Sequence, residues 1–198
     1  MRPAFLFICL FFCSVIAYGQ VRFDSVLYKK LKTMRNDDQK WRIESYKIFK
    51  NEHSDYDQKT VDKNMAHTDS VNEAEAKRIF NKYGYPGYSL VGDSGSNWFW
   101  TIVQHCDDDI VFQQKVLAQM DKEVKAHNAS GEDYAYLEDR VLISKGKKQL
   151  YGTQVHVDPK TNKATPFAIE DSTRIDERRK AVGMMPLSDY LNLIEKGN

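Results

Sequence analysis

An N-terminal apolar run sets the first constraint on how this chain folds. Phe5 to Ala17 is almost unbroken in apolar side chains, is preceded by a single charge at Arg2, and is followed by Ala17-Tyr18-Gly19. A short charged start, a short apolar stretch and small residues at a cleavage point form the pattern of a secretory signal. The run is shorter than the roughly 20 residues a membrane helix requires. Residues 1–19 are therefore expected to be a cleavable export signal, leaving residues 20–198 as one globular domain in the periplasm or outside the cell. Two of the three cysteines, Cys9 and Cys13, lie within that segment, so the exported domain keeps only Cys106. One cysteine closes no internal disulfide, and stability has to come from an ordinary hydrophobic core. About 180 residues suffice for that.

Loss of the leader also balances the charge. Of 29 basic and 28 acidic residues, Arg2 departs, and the domain is left with 28 of each. Nucleic-acid binding draws on a basic footprint that this balance lacks. No later stretch reads as a membrane span, no cofactor motif is present, and oligomeric state is not readable.

Periodicity predicts a mainly helical α+β domain. Phe23, Leu27, Leu31 and Met34 recur at helical spacing behind Asp24 or Ser25 as cap, and Asp37 or Asp38 is expected to cap a second helix carrying Trp41, Ile48 and Phe49. Asn51 to Asp69 is polar and aperiodic, and reads as a loop or frayed helix. A helix follows from Ser70 to Tyr83, and then a turn-rich connector from Tyr83 to Gly92 around Pro86 and Gly87. Further helices are predicted from Asn97 to His105, from Asp107-Asp108-Asp109 onward, and through Tyr134, Leu137 and Val141 to Gly146. Beyond Gly146, Gln149 to Val157 alternates like a strand, Asp158 to Asn162 is turn chemistry, and Ala164 to Ile169 returns as a partner strand. Thr173 to Val182 and Leu187 to Glu195 close the chain as short helices.

Three groups of residues carry possible chemistry. Gly92-Asp93-Ser94-Gly95 resembles the nucleophile loop of trypsin-like proteases, but the double β-barrel that brings His and Asp to such a serine is missing. A loop before a helix uses the same residues. In Gln104-His105-Cys106-Asp107-Asp108-Asp109, His105 and Asp109 would share a face of a continuous helix as base and orienter or as metal ligands. The alternative is a histidine at a helix C-terminus followed by a capping aspartate. No set of metal ligands is assigned. The third group, Asp139-Arg140 with Gln149, Tyr151, Thr153 and Gln154, places polar side chains within apolar helical and strand patterns. Arg140 could hold an anion or pair with Asp139. The tyrosines at 83, 85 and 88 read as structural corners.

Asp38-Gln39 with Arg42, Tyr83-Gly84-Tyr85-Pro86-Gly87, Trp100 to His105, Tyr136 to Val141, Gln149 to Gln154, and Asp176-Glu177-Arg178-Arg179 follow one another in an ordered spacing. Through them the chain resembles the bacterial domain-of-unknown-function family 6624, from about Met34 to Ile194. The resemblance carries no assigned activity. It implies that Gln104-His105, Asp139-Arg140 and Gln149 to Gln154 belong to one recurring pattern.

Two functional expectations follow. In the first, Gln104, His105, Asp139, Arg140 and Gln154 line a pocket for a small polar or anionic ligand. Gln149, Tyr151 and Thr153 would contribute to binding, His105 would act as general acid or base, and Asp139 would orient it. In the second, the domain is a non-catalytic envelope interaction module and these residues form a buried structural network.

Overall fold

The structure, a computed structural model, describes residues 23–197, so the expected export signal lies outside the described residues. Helix α1 (Ser25–Phe49) begins where the carboxylate of Asp24 accepts the backbone N–H groups of Val26 and Leu27. It runs unbroken through Asp37 and Asp38, where a new cap was expected. Asp costs a helix interior only about 0.7 kcal/mol relative to Ala, and Asp38 is buried against side chains from elsewhere in the fold, as described below. Helix α2 (Gln58–Tyr83) is capped by Asp57, which accepts the Thr60 N–H at 2.7 Å. It therefore starts well inside the stretch expected to be loop or frayed helix. One turn of capped N-terminus and the burial of Val61 carry a segment whose period was hard to read.

Helix α3 (Tyr88–Gln104) contains one break, at Gly92 with φ 69° and ψ 172°. Only glycine takes that conformation without strain. The Gly92-Asp93-Ser94-Gly95 stretch is thus the resumption of a helix and not a loop, which removes the protease comparison. Helix α4 (Ile110–Lys125) is capped by Asp109 and α5 (Gly131–Ser144) by Ser130. Leu31, Val91, Phe99, Ile102, Val116, Met120 and Leu137 fill the centre, nearly or wholly excluded from solvent. α1 packs on α2 and α3, and α4 packs on α5.

The late β element is smaller than alternation predicted. β1 (Val155–Val157) pairs antiparallel with β2 (Ala164–Pro166), His156 opposite Thr165. Residues 150–153 leave the strand pattern because the N–H groups of Leu150, Tyr151 and Thr153 turn onto a buried carboxylate. A 3-10 turn (Ser172–Arg174) and helices α6 (Ile175–Ala181) and α7 (Leu187–Glu195) complete a mainly helical α+β fold. Among the described residues no helix is long and apolar enough to cross a membrane.

Candidate functional site

A polar cleft of about 610 Å³ opens where α1, α2 and the α3–α4 connection meet. Arg42 comes from α1, Asp69, Ser70, Glu73 and Lys77 from one face of α2, and His105, Asp107 and Asp108 from the connection. The α2 residues fall at three- and four-residue steps, so a single helical face delivers them together.

His105 is the C-cap residue of α3. Its Nδ1 lies 2.8 Å from Oδ1 of Asp38, which is only 1% exposed. Nε of Arg42 donates to His105 Nε2 at 3.3 Å. A donor at Nε2 requires the lone pair there, which puts the ring hydrogen on Nδ1, facing Asp38. A nitrogen proton held by a buried carboxylate, with the lone pair on the opposite nitrogen, is the geometry of an oriented general base, and here Arg42 occupies that lone pair. The Arg42 side chain then lies across the cleft: one terminal nitrogen bonds Asp69 at 3.0 Å and sits 3.5 Å from Asp38. Its other terminal nitrogen, Nη1, is buried and has no partner among the described residues.

Burial pushes the Asp38 carboxyl upward, but its hydrogen bond to His105, the charge that ring can take, and Arg42 outweigh this and hold it below the usual carboxylate range. Asp69 goes the other way. Burial raises it more than Arg42 lowers it. Lys77 bonds both Asp109 and Glu73, and these partners raise its ammonium pKa. Cys106, beside the cleft, is 3% exposed, and burial pushes its thiol up to about 12. A thiol so protonated is no nucleophile at neutral pH.

His105 and Asp109 do not share a helix. The chain breaks between them, and Asp109 accepts the Phe112 N–H at 2.8 Å as the cap of α4. The orienter of His105 is Asp38, neither Asp109 nor Asp139. No group of three or more His, Cys, Asp or Glu among the described residues is arranged to hold a metal.

Asp139 sits elsewhere, fully buried on α5. Its carboxylate accepts the backbone N–H groups of Leu150 at 2.6 Å, Tyr151 at 3.1 Å and Thr153 at 3.0 Å, and the Thr153 hydroxyl at 3.0 Å. That set leaves it no capacity to orient a base. Gln149, also fully buried, donates to the carbonyls of Gln154 and Phe167 and accepts the Gln154 N–H. The Gln154 side chain donates to the Thr153 hydroxyl. Gly152 makes the turn at φ 70°, and a Cβ there would come within 2.9 Å of Leu187. Arg178 and Arg179 fasten the turn from α6 by donating to the carbonyls of Leu150 and Tyr151. Tyr151 is half-buried, and its hydroxyl faces Glu138.

The residues expected to form one pocket therefore divide into a cleft and a buried turn. Gln104 is not part of the cleft lining; its backbone carbonyl accepts from Gln113 at 3.4 Å. Arg140 reaches the cleft rim through Asp107, bonding both carboxylate oxygens at 3.0 and 3.2 Å. Sequence reading missed Asp38, Arg42, Asp69 and Lys77 as site residues. A signal for the first two was available: they stand four apart on one helix, the spacing of an ion pair.

The fold and cleft define a mainly helical α+β domain with an oriented histidine in a charged cleft. The chain belongs to the family of unknown function DUF6624, whose match covers residues 26–198. No curated protein and no solved structure gives a significant match.

Proposed function

We propose that this chain is an exported, soluble domain that binds a small polar ligand in the cleft between α1, α2 and the α3–α4 connection, with His105 exchanging a proton with it. The observation that carries this reading is His105, held through Nδ1 by the buried Asp38 while its other nitrogen faces the cleft. Arg42 covers that nitrogen, so a ligand that draws Arg42 aside exposes the base as it binds. The unpartnered Arg42 Nη1, buried while the side chain lies across the cleft, is a donor for a ligand hydroxyl once Arg42 moves.

The lining decides the sign of the ligand. Asp69, Glu73, Asp107 and Asp108 face Arg42 and Lys77, and both cations already hold carboxylates. An incoming anion would meet a net negative wall, whereas an ammonium or a hydroxyl-rich group finds acceptors. A polar ligand with such a head is therefore favoured over an anion.

Thermal unfolding against a panel of amines, polyols and carboxylates tests this. At about 100-fold excess over Kd, a ligand stabilises by about 2.7 kcal/mol. That is roughly 5–11 °C in Tm for a domain of this size. Calorimetry in buffers of differing ionisation enthalpy then reads proton exchange on binding, which His105→Gln should abolish. Stabilisation only by carboxylates, or binding untouched in His105→Gln, would refute the reading.

The second reading, an envelope interaction module with a structural polar network, draws support from Asp139. Every strong acceptor position of that carboxylate is taken by the 149–154 turn. This accounts for the buried turn and leaves the cleft without an explanation.

A further inference from the structure

Arg42 walls two cavities at once. Beyond the polar cleft, along the same α1–α2 interface, lies a groove of about 350 Å³ lined by Arg42, Ser45, Tyr46, Phe49 and Met65. On α2 as well, Met65 of the groove stands four residues before Asp69 of the cleft, on the same helix face. The Arg42–Asp69 ion pair, 3.0 Å across, is the bar between them. On the groove side, Tyr46 is 57% and Phe49 72% exposed, and Ile43, one turn before Tyr46 and outside the groove lining, is 52% exposed. These three recur at three-residue spacing and so form one apolar stripe. Large exposed apolar side chains gathered beside a charged cleft mark binding surface more than scattered ones do.

From this continuity we infer that the ligand is a cationic amphiphile: an ammonium head enters the acidic cleft beside His105, and a short alkyl or aryl tail crosses Arg42 onto Tyr46, Phe49 and Met65. The inference rests on the polar-ligand reading above and adds the tail. The net negative lining supplies acceptors for the head, and the groove supplies the apolar contact. Each cavity falls within the roughly 300–1,000 Å³ of ordinary ligand sites.

The test is calorimetric titration of residues 20–198 with the alkylammonium series from ethylammonium to octylammonium. A fully buried methylene is worth about 0.8 kcal/mol, or roughly fourfold in Kd, and in an open groove about twofold. Affinity should rise by that factor per carbon until the groove is filled. Phe49→Ser, at a position exposed enough to leave the fold intact, should flatten the slope. Phe167→Ser, at a 47% exposed aromatic beside the hairpin, should keep it. Binding of ethylammonium with no dependence on chain length would overturn the amphiphile while leaving the polar cleft standing. A slope that survives Phe49→Ser would also overturn it, because the tail would lie elsewhere. Absence of binding across the whole series would overturn the amphiphile too, and the polar cleft would then stand or fall on the polyols of the thermal-unfolding panel.

Discussion

Replacing Asp139 with asparagine separates a catalytic aspartate from a structural one. The side chain keeps its size, but one acceptor oxygen becomes an NH2 group. The least disruptive rotamer places that group where Oδ2 now accepts Thr153, since the Thr153 hydroxyl can turn to accept instead. The Thr153 backbone N–H then faces a donor, and an orphaned buried N–H costs about 1–3 kcal/mol. The bonds that remain, from Leu150 and Tyr151, change from charge-assisted to neutral, which loses about 1 kcal/mol each. Together the loss is about 4 kcal/mol, or roughly 8–16 °C in Tm at 2–4 °C per kcal/mol. Urea denaturation followed by far-UV circular dichroism measures it directly. In the variant, amide hydrogen exchange at Leu150 and Thr153 should also be faster than in the wild type, while α5 (Gly131–Ser144) keeps its protection. An Asp139→Asn variant as stable as wild type, but defective in ligand binding, would refute the structural assignment and restore the catalytic one.

Other outcomes follow from the same contacts. Asp38→Ala removes one partner of a buried pair and should cost about 3–5 kcal/mol in urea. In the wild type, the contribution of Asp38, whose folded pKa lies below its unfolded value of 3.8, should be present at neutral pH. It should be lost only as pH falls below about 4, so an acid titration of stability checks the sign. Asp133, 9% exposed and accepting from Asn97 at 3.0 Å, is raised by burial to about 6. The folded state holds that proton more tightly than the unfolded chain, so this group's contribution falls as pH rises from about 4 to 6. Asp133→Asn should be more stable than wild type at pH 7 by about 2 kcal/mol, after allowing for a favourable helix-dipole term of up to about 1. The two should converge near pH 4. Cys106 should resist alkylation in the folded protein at pH 8 and label rapidly once unfolded; fast labelling of the native state would contradict its burial.

Much of the fold was legible in short-range signals. Asp24, Asp109 and the Asp158–Asn162 turn stand where their side chains satisfy nearby backbone N–H groups, and each such bond is decided within a few residues. The late hairpin and the last two helices were equally local. Misreadings came where one local pattern suits two structures. Asp38 looks like a cap from its neighbours, yet its partner is 67 residues away. Gln149 to Gln154 alternates like a strand, yet after a single backbone bridge at Gln149 the N–H groups of Leu150, Tyr151 and Thr153 bind a side chain instead of a neighbouring strand.

The candidate site shows the same division. From residues alone, His105 stands out as a histidine at the end of an apolar helix, and Asp139-Arg140 as polar groups within an apolar pattern. Which carboxylate serves which partner could not be read there. Helix periodicity, caps and turns are set by interactions over one or two turns of chain, and the amino-acid order carries them directly. The pairing of Asp38 with His105, the bar that Arg42 lays across the α1–α2 groove, and the closure of the 149–154 turn on Asp139 depend on helices meeting from distant parts of the chain. Burial settles those pairings, because a charge removed from water has to find whichever partner the packing brings within reach.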